Sequence, residues 1–378
     1  MKCPHCLAEL RYRERTGRSC SYCQKTFALE PRENVLGLSD LRLRGIAERL
    51  SGKGTCRYTA RQLAYAVVIK TLKLEEKKHS SLGSIISILF FILITVCLGL
   101  GAALLTGSIA CLIIFIVLAA AMLFKSITDL KETPPKVYKE IEQFEVHYIE
   151  PWEFIHGLLP GRVAEEEIVA LRQFHMPLSR VRAVVASFSE DVLDCLRVNG
   201  LVEQLGLALL NPRRLTDFDR DVINLLRSRP RLPIFLIHDA SLFGSLMATI
   251  LRKEWELTPQ HRIIDLGLHP RHVQKLRLPW REVRRSRELV QLFEWQASVP
   301  NGLKLTKAEQ AWLRKGYETS VLFIPPARLI KVVTKAVERA ALKRATVAVE
   351  QTVPKQMVDP ETQAQTKARS VGFMTWPS

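Results

Sequence analysis

Cysteine supplies the most legible chemistry in this sequence. Cys3-Pro-His-Cys6 and Cys20-Ser-Tyr-Cys23 are two Cys-x2-Cys pairs separated by thirteen residues. Each pair presents two thiolates from one tight turn, and two such turns facing one another complete the tetrahedral four-sulfur shell that zinc accepts in structural sites. A redox Cys-x-x-Cys pair normally follows a strand inside a βαβ unit, and no such unit surrounds these two. His5 sits within the first pair, but four thiolates fill the shell without it. The expected ligands are Cys3, Cys6, Cys20 and Cys23, holding a structural Zn2+ that supplies folding energy to a module too small for a core of its own.

The other cysteines do not extend this set. Cys56 and Cys195 are isolated, and Cys97 and Cys111 fall in an apolar stretch, so the eight cysteines form no disulfide framework. Met1 leads almost directly into the first pair with no apolar core of a signal peptide, which places the module in a reducing cytoplasm. Leu7 to Ser19 alternates weakly and contains a Gly turn at Gly17, as a hairpin between the two cysteine turns requires. The first 27 residues resemble a zinc ribbon, and residues 1–30 are expected to form one.

From Ser80 to Phe124 there is no Asp, Glu, Lys, Arg or His. One membrane crossing needs about 20 apolar residues, so this length suits two, near 82–100 and 104–124 with a Gly-rich turn between. Lys70, Lys73, Lys77 and Lys78 precede the run, Lys125, Lys131, Lys136 and Lys139 follow it, and the turn is uncharged. The positive-inside bias then puts both termini in the cytoplasm, as a multi-pass protein of the cell (inner) membrane. With no ionisable residue inside the spans, a transport or proton-relay role has no candidate residues.

Around this run the chain is basic. Lys and Arg exceed Asp and Glu by 55 to 38, a net charge of +17, which suits a polyanionic partner, either nucleic acid or anionic membrane lipid. Residues 36–79 predict two helices: Leu41–Leu50 capped by Ser39 or Asp40, and a second capped by Thr59 and running towards Leu72. They form a basic helical, winged-helix-like segment carrying Arg42, Arg44, Arg49, Lys53, Arg57 and Arg61. Residues 125–149 are a linker with Pro134-Pro135.

Residues 150–345 alternate helical and short apolar patterns. Strand-like runs occur at Val181–Val185, Leu205–Leu210, Pro233–Ile237 and Arg262–Leu266, with helices at Asp191–Asn199, Asp217–Leu226 and Leu242–Lys253 between them. This order predicts an open, mostly parallel sheet with helices on both faces. Arg271 to Arg287 is the densest basic run, and Arg271, Lys275, Arg277, Trp280, Arg281, Arg284, Arg285 and Arg287 are the expected contacts for nucleic acid or another anion, Trp280 by stacking. Residues 346–378 are polar, without periodicity, and read as a disordered tail.

Ile234-Phe-Leu-Ile-His-Asp239-Ala-Ser241-Leu-Phe-Gly244, Ile264-Asp-Leu-Gly267-Leu268-His-Pro270-Arg-His-Val273 and Leu276-Arg-Leu-Pro279 resemble the Toprim domain of the type IIB topoisomerase A subunit and of the related meiotic double-strand-break proteins. The resemblance covers residues 181–290. In that family one strand ends in a catalytic glutamate and another in Asp-x-Asp, which together hold Mg2+, a hard cation that needs charged oxygen ligands. Here Asp239 is kept, but Ala186 stands at the glutamate position and Ser241 at that of the second aspartate. Thr59-Ala-Arg61-Gln-Leu-Ala-Tyr65 is similar to the stretch that carries the family's nucleophilic tyrosine, which would make Tyr65 the attacking group.

The fold expected from these readings is a multidomain membrane protein: a small β zinc ribbon, a two-helix transmembrane hairpin and a cytoplasmic α/β Toprim-like domain. The expected function is a membrane-anchored, zinc-binding, non-catalytic scaffold or binding protein for a cytoplasmic protein or nucleic acid. The alternative is a Mg2+-dependent nuclease or DNA transesterase using Asp239 and Tyr65. A second carboxylate beside Asp239, from Glu190 or Asp265, would favour the alternative.

Overall fold

Three short strands form the centre of the molecule, apolar throughout except for a terminal serine: Ala183–Ser187 (β1), Leu207–Leu210 (β2) and Ile234–Ile237 (β3), every residue of which is buried. Unbroken apolar strands of this kind belong to parallel sheets covered on both faces. With Ile263–Asp265 (β4) they make a four-stranded, wholly parallel sheet in the order β2-β1-β3-β4. Val184 pairs with Ala208 on one side and Ile234 on the other, and Phe235 pairs with Ile264.

The computed structural model describes residues 1–79, 135–284, 286–298 and 305–352. In chain order the α-helices are α1 (Asp40–Leu50), α2 (Ala60–His79), α3 (Pro135–Glu142), α4 (Glu150–His156), α5 (Glu165–Gln173), α6 (Glu190–Val198), α7 (Leu201–Leu205) and α8 (Asp217–Ser228). They continue with α9 (Leu242–Glu254), α10 (Pro270–Leu276), α11 (Arg287–Ser298), α12 (Lys307–Arg314) and α13 (Pro326–Thr352). A short antiparallel pair, Arg281–Glu282 (β5) and Tyr317–Glu318 (β6), lies outside the main sheet. Met1–Val332 forms one compact unit, and Val333–Ser378, whose described part is the continuation of α13, forms a second.

Helix starts follow the local chemistry of their caps. The Ser39 side chain accepts from the Arg42 amide at α1, and Thr59 and Gln62 bond reciprocally at the start of α2. Thr216 with Asp219 and Thr306 with Glu309 form capping boxes at α8 and α12. Each box satisfies amides that the first helical turn leaves without partners.

The described residues correct the membrane reading: among them no helix is long and apolar enough to cross a membrane. Even α2, the 20-residue helix at the start of the linking run, carries Lys70, Lys73, Glu75, Glu76, Lys77 and Lys78, charges that a hydrocarbon core does not accept. The segments 82–100 and 104–124 lie outside the described residues. In place of a membrane protein with a transmembrane hairpin, multi-pass in the inner membrane with both termini cytoplasmic, the described residues present an α/β fold built on a parallel sheet.

Two helical layers flank the N-terminal half. Leu43 and Ile46 of α1, Leu63, Val67 and Val68 of α2, and Phe144, Tyr148 and Trp152 from the stretch around α4 share one core with Phe323. Of the basic surface expected of this segment, Arg44, Arg49, Lys53 and Arg61 are exposed, while Arg42 and Arg57 are engaged in structure. The Arg42 guanidinium donates to the Leu36 and Gly37 carbonyls and to Thr71, and Arg57 pairs with Glu167 of α5. Tyr58 joins the segment to the chain before α5: its amide donates to Gly161 O, its carbonyl accepts from Val163, and its hydroxyl donates to Pro160 O at 2.8 Å. Gly161, at φ 79°, permits this crossing, since a Cβ there would collide with the Ser51 side chain.

Asp40, 2% exposed, ties these layers to the cysteine module. Its Oδ2 accepts from the Ala28 amide at 2.9 Å and its Oδ1 from Leu29 at 2.8 Å, while His156 Nε2 meets Oδ2 from α4. Removing the carboxylate strands buried donors, so Asp40→Ala is expected to cost about 3 kcal/mol or more. Asp40→Asn, which keeps one acceptor, should cost distinctly less. Urea unfolding of both variants checks this, and a loss below about 1 kcal/mol for the alanine variant would refute the clamp.

Candidate functional site

The four cysteines converge as their spacing requires. Cys3 Sγ lies 3.7 Å from Cys23 Sγ and Cys6 Sγ 3.8 Å from Cys20 Sγ, and all four sulfurs fall within 4.8 Å of one another. Four bonds of about 2.3 Å to a tetrahedral ion put neighbouring sulfurs about 3.8 Å apart. The two turns are built alike. Leu7 and Gln24, each following the second cysteine, sit at φ 61° and 58° and donate back to the Cys3 and Cys20 carbonyls. His5 is turned away from the sulfurs by its ring, whose Nε2 is 2.8 Å from Thr26 O. The cluster can therefore hold a metal ion such as zinc.

The thiols are electrostatically unequal. Lost hydration works against ionising Cys20, but the amides of Cys23 and Tyr22 and the thiols of Cys3 and Cys23 outweigh it and draw it down to about 7. Cys6 accepts a bond from the Ala8 backbone, yet lost hydration and the three competing thiols push it up to about 11. One thiol thus ionises readily while a neighbour resists, and a bound cation displaces the protons that remain.

The carboxyl edge of the sheet is the second candidate, because open α/β folds bind ligands at the point of strand-order reversal, here between β1 and β3. Phe188 after β1 and Phe243 of α9 meet there with ring centroids 4.6 Å apart, and the Arg213 guanidinium lies 5.0 Å from each ring. Beside them a cleft of about 480 Å3 opens between Thr59–Arg61, α5 and the loops that follow β1 and β2. Its walls carry both signs of charge: Arg61 approaches Asp191, Arg172 pairs with Asp194, and Arg213 and Arg214 are exposed.

β3 stops at Ile237, two residues short of Asp239, which lies in the turn before α9 with its carboxylate engaged in structure. Oδ1 accepts from the Val321 amide at 2.7 Å and from the Ser320 hydroxyl at 3.3 Å. Surrounding protein raises its pKa above the aspartate range despite these bonds. Ser241 caps α9, accepting from the Gly244 amide at 2.9 Å. The two carboxylates that could have joined Asp239 are also committed. Glu190 takes Arg197 at 2.8 Å and Asn211 at 2.9 Å, and Asp265 takes His238 and His269.

Tyr65 lies in the same region. Its ring packs edge-on against Phe323 at 4.7 Å and its hydroxyl is close to Ser320, the residue that also contacts Asp239. The structure therefore brings Tyr65 and Asp239 to a common neighbour. Loss of hydration raises the phenol above its ordinary pKa, which works against its use as a nucleophile.

The basic run divides into paired and exposed members. Arg271 meets Glu309 at 3.5 Å, Arg281 meets Glu318 at 2.6 Å and lies over the Tyr138 ring, and Trp280 packs on Tyr317 at 4.2 Å between centroids. Lys275, Arg277, Arg284 and Arg287 are exposed, and Arg285 lies outside the described residues. Arg213 and Arg214 were not singled out by sequence. The grouping of His238, Asp265 and His269 was not either, although a His-Asp strand end and an Asp-x-x-x-His spacing signal it.

Compared with protein-family models, with curated proteins and with solved structures, the chain gives no match in any of the three.

Two outcomes are expected. Chelating the metal, or replacing Cys20→Ser, should erase amide hydrogen-exchange protection over residues 1–30 while β1 and β3 stay protected; unchanged protection of the module after chelation would count against a metal-held fold. Partial burial favours the neutral form of Glu190, but Asn211 and Arg197 hold its carboxyl below the usual glutamate range. Glu190→Gln should thus cost about 1–3 kcal/mol at neutral pH. The deficit should shrink as pH falls below about 4, where the native protein itself loses the charge. A deficit independent of pH in urea melts would show that the charge is not what Arg197 and Asn211 recognise.

Proposed function

We propose that this chain is a non-catalytic binding protein, with a structural zinc ribbon and a Toprim-like α/β region that has lost its cation cluster and contacts nucleic acid through exposed cationic side chains. The observation that carries the reading is the use of Asp239: its Oδ1 is bonded to Val321 and Ser320, and Ala186 and Ser241 stand where partner carboxylates would be needed. A lone carboxylate committed in this way is a poor ligand for Mg2+, which needs several oxygen donors. The zinc assignment rests on the four-sulfur geometry and on the closed, all-thiolate donor set.

The polyanion reading rests on charge and exposure. The net charge is +17, and Lys275, Arg277, Arg284 and Arg287 reach solvent from α10, α11 and the connection between them. Such side chains bind phosphate by releasing its counterions, with no demand on sequence.

Full-length protein titrated with fluorescent duplex and single-stranded DNA at several salt concentrations, with and without Mg2+, tests both halves. Salt-sensitive binding is expected without cleavage. The double substitution Arg284→Ala, Arg287→Ala should weaken binding and lower the magnitude of the log K versus log salt slope by roughly 1 for each phosphate no longer neutralised. Absence of binding at low salt would reject nucleic acid in favour of a protein partner. Mg2+-dependent cleavage that Asp239→Asn or Tyr65→Phe abolishes would overturn the non-catalytic assignment.

A further inference from the structure

Three side chains meet at the carboxyl ends of β3 and β4 in a way that the capping and packing roles above do not use. His238 follows β3, Asp265 ends β4, and His269 precedes the first turn of α10. His238 Nε2 lies 3.0 Å from Asp265 Oδ1 and His269 Nε2 lies 3.2 Å from Asp265 Oδ2. The two imidazole rings stand nearly perpendicular, at 89°, with centroids 5.6 Å apart, so their Nε2 atoms approach the carboxylate from different directions.

The other nitrogen of His238 decides what Nε2 must carry. Nδ1 is 2.8 Å from Asp239 O. A carbonyl oxygen has no proton to give, so Nδ1 holds one. In the neutral ring Nε2 is then a lone pair, and here it faces a carboxylate oxygen. Only a cation between the two makes that approach favourable, either a proton on each imidazole or one metal ion shared by all three groups. An Nδ1–H fixed on a backbone carbonyl with Nε2 left for the ion is how proteins orient a histidine ligand. Bonds of about 2.0–2.2 Å to one ion put adjacent N and O ligands about 3 Å apart at right angles and about 3.4 Å apart at tetrahedral angles, and the separations of 3.0 and 3.2 Å found here need only a small opening to admit a tetrahedral ion.

The surroundings are shaped around the His238 ring. A Cβ on Gly267 would collide with the His238 ring, and one on Gly244 would lie 2.7 Å from Nδ1 and closer still to Asp239 O. The Gly267 amide donates to Asp265 Oδ1 at 2.8 Å and orients the carboxylate. The His238 side chain is 3% exposed, that of His269 15% and that of Asp265 40%. The nitrogens are thus set inward and the carboxylate stands at the mouth.

We propose that His238 Nε2, His269 Nε2 and the Asp265 carboxylate form a second metal site, separate from the cysteine cluster, for a divalent transition cation with zinc the best fit. Two imidazoles and a carboxylate are borderline donors suited to such ions. Three protein ligands with an exposed edge leave a coordination position to water, unlike the closed four-thiolate shell. His272 is not a ligand: its Nδ1 accepts from the His269 amide at 3.2 Å.

Full-length protein equilibrated with buffered Zn2+ and analysed for metal by mass spectrometry tests this. Close to two equivalents per chain are expected for the native protein and for His272→Ala, and close to one for His269→Ala and Asp265→Asn. Co2+ loading separates the sites by spectrum. The thiolate cluster gives sulfur-to-cobalt charge-transfer absorption, which the His269→Ala variant should keep while losing the weaker bands of a nitrogen–oxygen site. A single equivalent in the native protein would overturn the proposal and leave the three groups joined by protons alone, and that measurement needs no variant to fold. Two equivalents persisting in both His269→Ala and Asp265→Asn would overturn it equally.

Discussion

One buried carboxylate organises the N-terminal half. Asp40 begins α1, accepts the amides of Ala28 and Leu29 as the chain leaves the cysteine module, and receives His156 from α4. Three stretches distant in sequence are thereby held to one side chain. Because the site is 2% exposed, the two amides have no water to turn to if the carboxylate is removed. The position of the cysteine module against α4, seen in the 5.4 Å approach of the His5 and His156 rings, follows from this junction.

The α/β part rests on a different constraint. Its strands β1, β2 and β3 are buried along their whole length, β4 is the more open edge strand, and the carboxyl ends of β1, β3 and β4 deliver polar residues to one edge. What those residues do depends on their nearest donors. Asp239 joins β3 to Val321, Ser241 caps α9, and Glu190 bridges α6 to the loop after β2. Each is a group with catalytic chemistry used as a connector. Among the described residues of this edge, His238, Asp265 and His269 converge on a common point, with the support of the Gly267 amide. The edge is therefore chemically divided: tied off at Asp239 and convergent beside it.

The exposed charge has the same division. Of the basic residues that cluster in sequence between Arg271 and Arg287, Arg271 and Arg281 are neutralised by Glu309 and Glu318, which come from α12 and β6. Trp280 is occupied by Tyr317. The cations left facing solvent are fewer than the local sequence implies, and they are set by the return of the chain after residue 305.

Local patterns in the sequence determined much of this protein. The cysteine spacing alone specifies the four-sulfur cluster, since the geometry of a Cys-x2-Cys turn is local. The apolar runs read as strands at 181–185, 205–210 and 233–237 hold the buried parallel strands at 183–187, 207–210 and 234–237, and Ser39 and Thr59 mark helix starts by hydrogen bonds that span three residues. The membrane reading drew on hydropathy in a segment outside the described residues, while among the described helices none is long and apolar enough to cross a membrane. Tertiary structure alone decided the pairing of side chains far apart in the chain: Asp40 with His156, Tyr65 and Asp239 with Ser320, Asp265 with His238. A carboxylate or imidazole carries no mark in sequence of the partner it will meet. That partner is chosen by how the helices and strands pack, because only packing removes the water that would otherwise satisfy each group.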